Sequence, residues 1–403
     1  MLLAHKIELK CNNKQATYFA KASGVARFAY NWALAEWQKE YVEGGKPNET
    51  ALRRKLNSIK REAFPWMLEV SKNAPQMAII QLGQAFKNFF AKRAAYPQFR
   101  KKWIDDRFTL TNDQFSVNHS RIRIPNLGWV RMRESLRFIG KVLSATISRS
   151  ANKWFVSITI EVQDKAIQTT NENQGVVGVD IGITSFATLS TGEKIAGPKP
   201  HKQLLNRVKR LSRSLSRKQK ASNNRNKAKL KLSRLHYRIA NIRRDAIHQL
   251  TSKLVKNFDT IVIEDLNVKG MIKNRRLSRS INDMGFFEFR RQLTYKTSMS
   301  NKNLMIADRF FASTRICSVC DFKREKLALS EREWTCSQCN TKHDRDINAA
   351  KNLAKWAVSF PVSANPTKQG IHAHACGASS NGTVAYATVS YGALKQEFNS
   401  KSA

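Results

Sequence analysis

The chain is short of acid. Asp and Glu number 30 against 71 Lys and Arg, a formal net charge of +41 over 403 residues. A compact surface of that charge repels itself unless a polyanion neutralises it, which points to nucleic acid and away from small neutral substrates. Long apolar runs are missing too: no stretch of about 18 such residues exists, so no membrane span is expected. The opening MLLAHKIELK turns to charged alternation too early for a secretory signal. Cysteine is scarce. Six residues are too few for a secreted disulfide scaffold of this length and fit a reducing cytoplasm. Histone-like packing or binding to anionic membranes would explain the charge alone, but neither calls for 8 Trp and 21 Phe.

What is present divides by pattern. At 4–11, Ile7, Leu9 and Cys11 alternate with Lys6, Glu8 and Lys10, the period of a half-buried strand. From Lys14 the period is helical through Phe19, Ala22, Val25, Ala26, Ala29 and Trp32, until Gly44-Gly45-Lys46-Pro47 breaks it. Further helices are expected from Asn48 through Leu52, Leu56 and Ile59, and from about Pro75 through Ile79, Leu82 and Phe86. Residues 24–92 thus form a small helical unit whose basic face is a candidate nucleic-acid contact. Tyr96-Pro97 ends it. Short alternating runs at 107–111, 121–125, 129–133, 142–147 and 154–162 read as antiparallel strands of a barrel or sandwich. Because one strand precedes the helices, the helical unit reads as an insertion into one β domain.

Residues 164–174 are polar and read as a linker. Val176-Val177-Gly178-Val179 then runs into Asp180, followed by Gly182 and a strand near 186–190, which is how a ribonuclease-H-like sheet begins. A second apolar run, Thr260-Ile261-Val262-Ile263, ends in Glu264. Between the two, 202–244 carries sixteen Lys and Arg and no acid. Its Leu and Ile spacing predicts a helical hairpin turning near Ser222-Asn223-Asn224. Uncompensated cations at this density call for phosphate, with Lys209, Arg210, Arg213 and Arg217 as candidate contacts. Scattered Pro, Gly and small residues predict a largely disordered tail over 362–403.

The chemistry concentrates at 315–350. Cys317, Cys320, Cys336 and Cys339 follow C-x2-C-x15-C-x2-C, the spacing of a zinc ribbon in which two tight turns each present two thiolates. A closed four-thiolate site holds a fold and does no chemistry; His343 is a stray candidate with no vacancy to fill. Seven residues after Cys339 stands Asp346, at the mouth of a helix-patterned segment. Asp180, Glu264 and Asp346 are the acids that directly follow apolar strands or open that helix. Singly each reads as a surface ion pair or a helix cap. Together they supply the hard oxygen ligands that two Mg²⁺ ions, about 4 Å apart, require for phosphodiester hydrolysis. Gly178 and Gly182 would let a nucleic-acid backbone approach Asp180.

The segments GVDIGITSFATLS, IVIEDLNVKGM, NRRLSRSINDMGFFEFRRQLTYK and CSVC…WTCSQCNTKHDRDINAAKNL together resemble the TnpB family, transposon-encoded RNA-guided nucleases of the IS200/IS605 and IS607 group and relatives of the compact Cas12 effectors. RFAYNWALAEW and YPQFRKK fit less specifically, and the likeness spans about residues 5–358. The resemblance implies an α/β multidomain chain. A wedge β-barrel would occupy 1–20 and 98–165, a helical recognition lobe 21–97 and a linker 166–174. A RuvC nuclease domain of ribonuclease-H fold would occupy 175–312 and 341–360, with a zinc ribbon at 313–340 and a disordered tail at 361–403. It implies Asp180, Glu264 and Asp346 as the catalytic Mg²⁺ ligands; the family pattern D-x-N-A-A selects Asp346 over Asp344, and Glu264 rather than Asp265 follows its strand. The implied partners are a guide RNA encoded by the element, with one protein per RNA, and double-stranded DNA with a short adjacent motif. Lys72, Gln76, Thr111 and Asn112 are the candidates for reading that motif. Arg275 and Arg276 precede a segment suited to a lid and are expected to touch phosphate rather than pair with Asp283. A prokaryotic cytoplasm, with the protein on the nucleoid when bound to DNA, is the expected location. A repressor that no longer cuts, and a transposase or resolvase of the same fold acting without RNA, are the alternatives.

Overall fold

The computed structural model describes residues 2–162, 175–328 and 330–359. The expected linker and the expected disordered tail lie outside the described residues. The described residues fall into two compact units, 2–162 and 175–359.

The first unit opens with β1 (Leu2–Lys10), whose His5, Ile7 and Leu9 are buried on alternate positions. Asn12 then caps α1 (Asn13–Val42) reciprocally: its side chain accepts from Gln15 N, and the Gln15 side chain accepts from Asn12 N. Helix α1 ends ahead of Gly44, where φ is +82°. Asn48 caps α2 (Glu49–Ala63), and a 3-10 turn at Pro65–Glu69 leads to α3 (Asn73–Phe90). Six strands follow: β2 (Arg107–Thr111), β3 (Ser116–Asn118), β4 (Arg121–Ile124), β5 (Gly128–Met132), β6 (Lys141–Ser150) and β7 (Lys153–Glu161). They pair with β1 in the antiparallel order β2-β6-β7-β1-β5-β4-β3.

Strand β1 lies between β7 and β5, so the helices interrupt a sheet whose remaining strands come after them, as the pattern predicts. One expectation needs correction. No ladder joins β2 to β3 among the described residues, so hydrogen bonding leaves a seven-stranded sheet open rather than closing a barrel. The start of α1 packs into the sheet's core: Phe19 lies 6.1 Å from Phe108 and 5.4 Å from Trp154, ring centre to ring centre.

The second unit is built on the five-stranded order β10-β9-β8-β11-β12. Its strands are β8 (Val176–Ile181), β9 (Ala187–Leu189), β10 (Lys194–Ile195), β11 (Thr260–Glu264) and β12 (Asn303–Ala307). The first three run antiparallel as a meander, whereas β8, β11 and β12 are parallel. Strands covered on both faces must be apolar throughout, which is why 177–179 and 261–263 read as runs rather than alternations. One face packs against α6 (Asn223–Asn257) and α9 (Phe286–Met299) through Leu250, Leu254, Phe289 and Leu293. On the other face, Val262 and Met305 meet Leu353 and Ala357 of α10 (Arg345–Ser359).

Between β10 and α6 lie the short α4 (Pro200–Gln203) and α5 (Leu205–Ser216). Helices α5 and α6 form the expected hairpin. Val208, Leu232, Leu235 and Ile239 are its buried seam, and Ser222 Oγ caps α6 at Arg225 N. Helices α7 (Val268–Ile272) and α8 (Ser278–Met284) follow β11, and the hairpin β13 (Glu333–Thr335) with β14 (Lys342–Asp344) precedes α10.

Candidate active site and metal centre

Parallel pairing brings the first two acids together. Val179 of β8 is the register partner of Ile263 of β11, so Asp180 and Glu264 come next at adjoining strand ends. The third arrives on α10, and glycine is what admits it. A Cβ on Gly178 would lie 1.9 Å from Ala350 O and 2.6 Å from Ala354 N, so only glycine lets the helix backbone rest on β8. Asp346 is one turn before Ala350 on the same helix face, and Asp180 is two residues beyond Gly178. The expectation that Gly178 opens space for nucleic acid is therefore corrected: the α10 backbone occupies that space. Gly182 is less crowded, its nearest neighbour being Ser185 O at 3.2 Å.

Burial, then the charges of Glu264 and Asp346, push the Asp180 carboxyl up to about 8. Ser313 Oγ donates to the Glu264 carboxylate. Arg332 Nη1 lies 3.6 Å from Asp346 Oδ1. Glu264 and Asp346 thus each have a side-chain partner of their own beside Asp180. Their oxygen donors suit Mg²⁺ in kind. Ser313 and Arg332 escaped the sequence reading because nothing in their local pattern marks them; they matter only through the fold.

The neighbouring acids are otherwise engaged. Asp265 forms ion pairs of 2.5 Å with both Arg290 and Arg309. Asp344 caps α10, accepting from Asp346 N at 3.1 Å and Ile347 N at 3.0 Å, and pairs with Lys194 at 2.5 Å. The choices of Glu264 over Asp265 and of Asp346 over Asp344 thus acquire a physical reason.

The four thiolates lie within 4.8 Å of one another. Cys317 and Cys339 sulfurs are 3.6 Å apart, as are those of Cys320 and Cys336, so each turn meets the other. A disulfide needs about 2.05 Å. A tetrahedron of roughly 2.3 Å zinc–sulfur bonds places sulfurs about 3.8 Å apart, and the quartet fits it. The Thr341 hydroxyl, 3.2 Å from Cys339 Sγ, brings that thiol down to about 6, whereas Cys320 in the same quartet is pushed up to about 12, so the thiols' titration does not by itself argue for a metal. His343 is not a stray: Nε2 sits 3.1 Å from Cys317 Sγ, and its ring packs on Trp334. Buried Asn348 and Asn352 of α10 fasten the ribbon's entry. Asn348 accepts from Ser318 N and donates to Ile316 O, while Asn352 donates to Ser313 O and Ile316 O, all at 2.6–2.9 Å.

The remaining candidates fall in three places. Arg210, Arg213 and Arg217 line one shallow depression with Ser214 and Lys218; Lys209 is exposed on the same helix. In the first unit, Asn73 Nδ2 donates to Thr111 Oγ1 at 2.5 Å, joining the start of α3, with exposed Lys72 and Gln76, to the end of β2, where Asn112 is exposed. Thr111 also bonds Asp113, so its hydroxyl works within the loop. Arg275 and Arg276 are exposed, and Asp283 is held by Arg243 at 3.1 Å and by the amides of His201 and Lys202.

The chain matches three family models: OrfB_IS605, described as "Probable transposase", over 157–275; the Cas12f1-like TNB domain over 286–353; and the OrfB_IS605 "Helix-turn-helix domain" over 1–46. It is 37% identical to a "Putative RNA-guided DNA endonuclease" of Streptomyces pristinaespiralis over 87% of this chain and 88% of that one. The chain belongs to the TnpB family. The Escherichia coli K12 "Putative RNA-guided DNA endonuclease InsQ" is 33% identical over 87% of this TnpB protein and 91% of InsQ. In fold it resembles Cas12f1, solved as a "Cas12f1-sgRNA-target DNA complex", at TM-score 0.55 and 14% identity, covering 85% of this chain and 83% of that one. The stretch matched as helix-turn-helix is here one strand and one 30-residue helix, with no second helix inside it.

Proposed function

We propose that this TnpB protein is an RNA-guided DNA endonuclease in which Asp180, Glu264 and Asp346 hold the catalytic Mg²⁺ ions. The observation that carries this reading is the meeting of two parallel strand ends and one helix N-terminus at three carboxylates, the buried one of them pushed up to about 8. Carboxylates so arranged raise one another's charging cost, and cations relieve it. Bound Mg²⁺ would supply a hydroxide nucleophile and neutralise the departing oxygen. Ser313 orients Glu264, and Arg332, half-exposed beside Asp346, is suited to meet a phosphate of the strand being cut. Asp344 and Asp265 stay in their cap and ion pairs.

In this reading the second unit is the RuvC domain, with the ribbon holding one structural zinc, and the first unit carries the wedge and recognition functions. Lys72, Gln76 and Asn112 read the adjacent motif, with Thr111 fixing their loop. The α5–α6 hairpin, through Lys209, Arg210, Arg213 and Arg217, and the loop bearing Arg275 and Arg276 contact phosphate. The guide is RNA from the element, the target is double-stranded DNA, and the site of action is the prokaryotic cytoplasm and nucleoid.

The test is purification at low salt, sequencing of the bound RNA, and a Mg²⁺-dependent cleavage assay on DNA matching that guide, with Asp180→Ala as control. A discrete RNA and cutting by the wild type alone are expected. RNA-free protein that still cuts would support a guide-independent transposase or resolvase, and equal behaviour of the two proteins would remove the nuclease.

A further inference from the structure

The loop between β12 and the ribbon carries a feature that neither the zinc site nor the acids explain. Its two ends are both tied to Glu264. Ala307, the last residue of β12, is the register partner of Glu264, and Ser313 donates to the Glu264 carboxylate. Phe310 stands midway between them, three residues from each, so the chain carries it no more than about 11 Å from either tether.

The loop is well fixed. Asp308 Oδ1 accepts from Phe310 N at 2.8 Å, and Asp308 O accepts from Phe311 N at 3.0 Å. Arg309 is clamped on Asp265 through its side chain at 2.5 Å and through the Asp265 carbonyl at 3.3 Å. Phe311 turns inward, packing beside Trp356. Phe310 remains 88% exposed. A lone exposed aromatic is ordinary on a protein surface. An aromatic held outward by a braced loop, within a few residues of a carboxylate set suited to phosphodiester hydrolysis and beside clamped arginine, has a specific use.

We propose that Phe310 is a positioning residue that stacks on an unpaired base of the DNA strand entering the acid site. The inference rests on the nuclease reading above and extends it to how the strand is seated. A paired base has both faces covered by its neighbours, so an exposed ring selects single-stranded DNA. The ring gives sequence-tolerant seating because every base has a π face, while the phosphates on either side are drawn by Arg309 and Arg332. Seating one nucleotide fixes which phosphate lies at the carboxylates.

The test uses the full chain with its copurified RNA. Phe310→Ala is expected to raise KM for the cut strand by about tenfold, the scale of one base–aromatic stack, with kcat less affected. Phe310→Trp restores it and Phe310→Leu does not. Moving one abasic nucleotide along the strand lowers wild-type cleavage at one position and leaves Phe310→Ala indifferent there. A second readout needs no cutting: in the Asp180→Ala background, 2-aminopurine at that position is quenched, and the quench is lost in Asp180→Ala/Phe310→Ala. Wild-type cleavage with Phe310→Ala indistinguishable on every substrate, or rescue by Leu as complete as by Trp, would overturn the inference. Quenching without cleavage in the wild type would support the stacking and refute the nuclease.

Discussion

The thiolate quartet and the carboxylate trio are neighbours along the chain, yet they are built by opposite means. The four sulfurs come from two tight turns 15 residues apart and face one another within 4.8 Å. A metal is enough to organise them. The three carboxylates come from residues 180, 264 and 346, and sheet register plus one glycine contact bring them near. Ser313 and Arg332 then each partner one of them. The geometry of the quartet is local, whereas that of the trio depends on the fold. Asn348 and Asn352 link the two, because they tie the ribbon's entry to the helix that delivers Asp346.

The largest effect expected from breaking this division is at the ribbon. Cys336→Ser removes one thiolate of a quartet at which a structural zinc would contribute on the order of 10 kcal/mol to local folding. Zinc content should fall, proteolysis should open 313–345, and cleavage should vanish with them. Asp180→Ala should lose cleavage and keep both zinc and protease resistance. Full zinc in Cys336→Ser, or cleavage retained in Cys336→Ser after the ribbon has opened, would contradict the dependence of the acid site on the ribbon.

Next comes the glycine contact. Gly178→Ala places a Cβ 1.9 Å from Ala350 O, where backbone must move. The expected cost is about 1–3 kcal/mol, read as a lower Tm, with a larger loss of cleavage because α10 carries Asp346. Gly182→Ala, with 3.2 Å to Ser185 O, should be much milder. Equal effects at the two positions would show that helix contact does not set the site.

A third contrast is electrostatic. Without Mg²⁺ the Asp180 carboxyl titrates near 8 in the folded chain against 3.8 as reference. Between those values the folded state keeps a proton that the unfolded state has lost, so stability is greatest below pH 4 and falls as pH rises to about 8. In magnesium-free buffer, Asp180→Asn should therefore gain Tm over the wild type progressively across that range. Adding Mg²⁺ should narrow the gap. A gap independent of pH would remove mutual repulsion from the account.

These contrasts also decide what was legible in the sequence. The cysteine spacing announces the ribbon because its geometry is local. The apolar runs before Asp180 and Glu264 announce two strands of one sheet, but their parallel pairing is visible only in the register. The insertion of helices after β1 followed from order alone. Gly178 was misread: a glycine beside an acid looks the same whether nucleic acid or a helix lies against it, and only tertiary packing distinguishes them. Ser313 and Arg332 were invisible for the same reason. The family pattern chooses Asp346 over Asp344, and in the structure Asp344 is the one that accepts the capping bonds from Asp346 N and Ile347 N.

That last pair gives the most direct test. Guide-directed cleavage and Tm should be measured for Asp346→Ala and Asp344→Ala side by side. Asp346→Ala should lose cleavage by at least about 10²-fold with little change in Tm, as for removal of a group that stabilises charge in the transition state. Asp344→Ala should lose about 1 kcal/mol of helix capping and keep cleavage within roughly tenfold. Cleavage abolished in Asp344→Ala and retained in Asp346→Ala would contradict the assignment of the acid site.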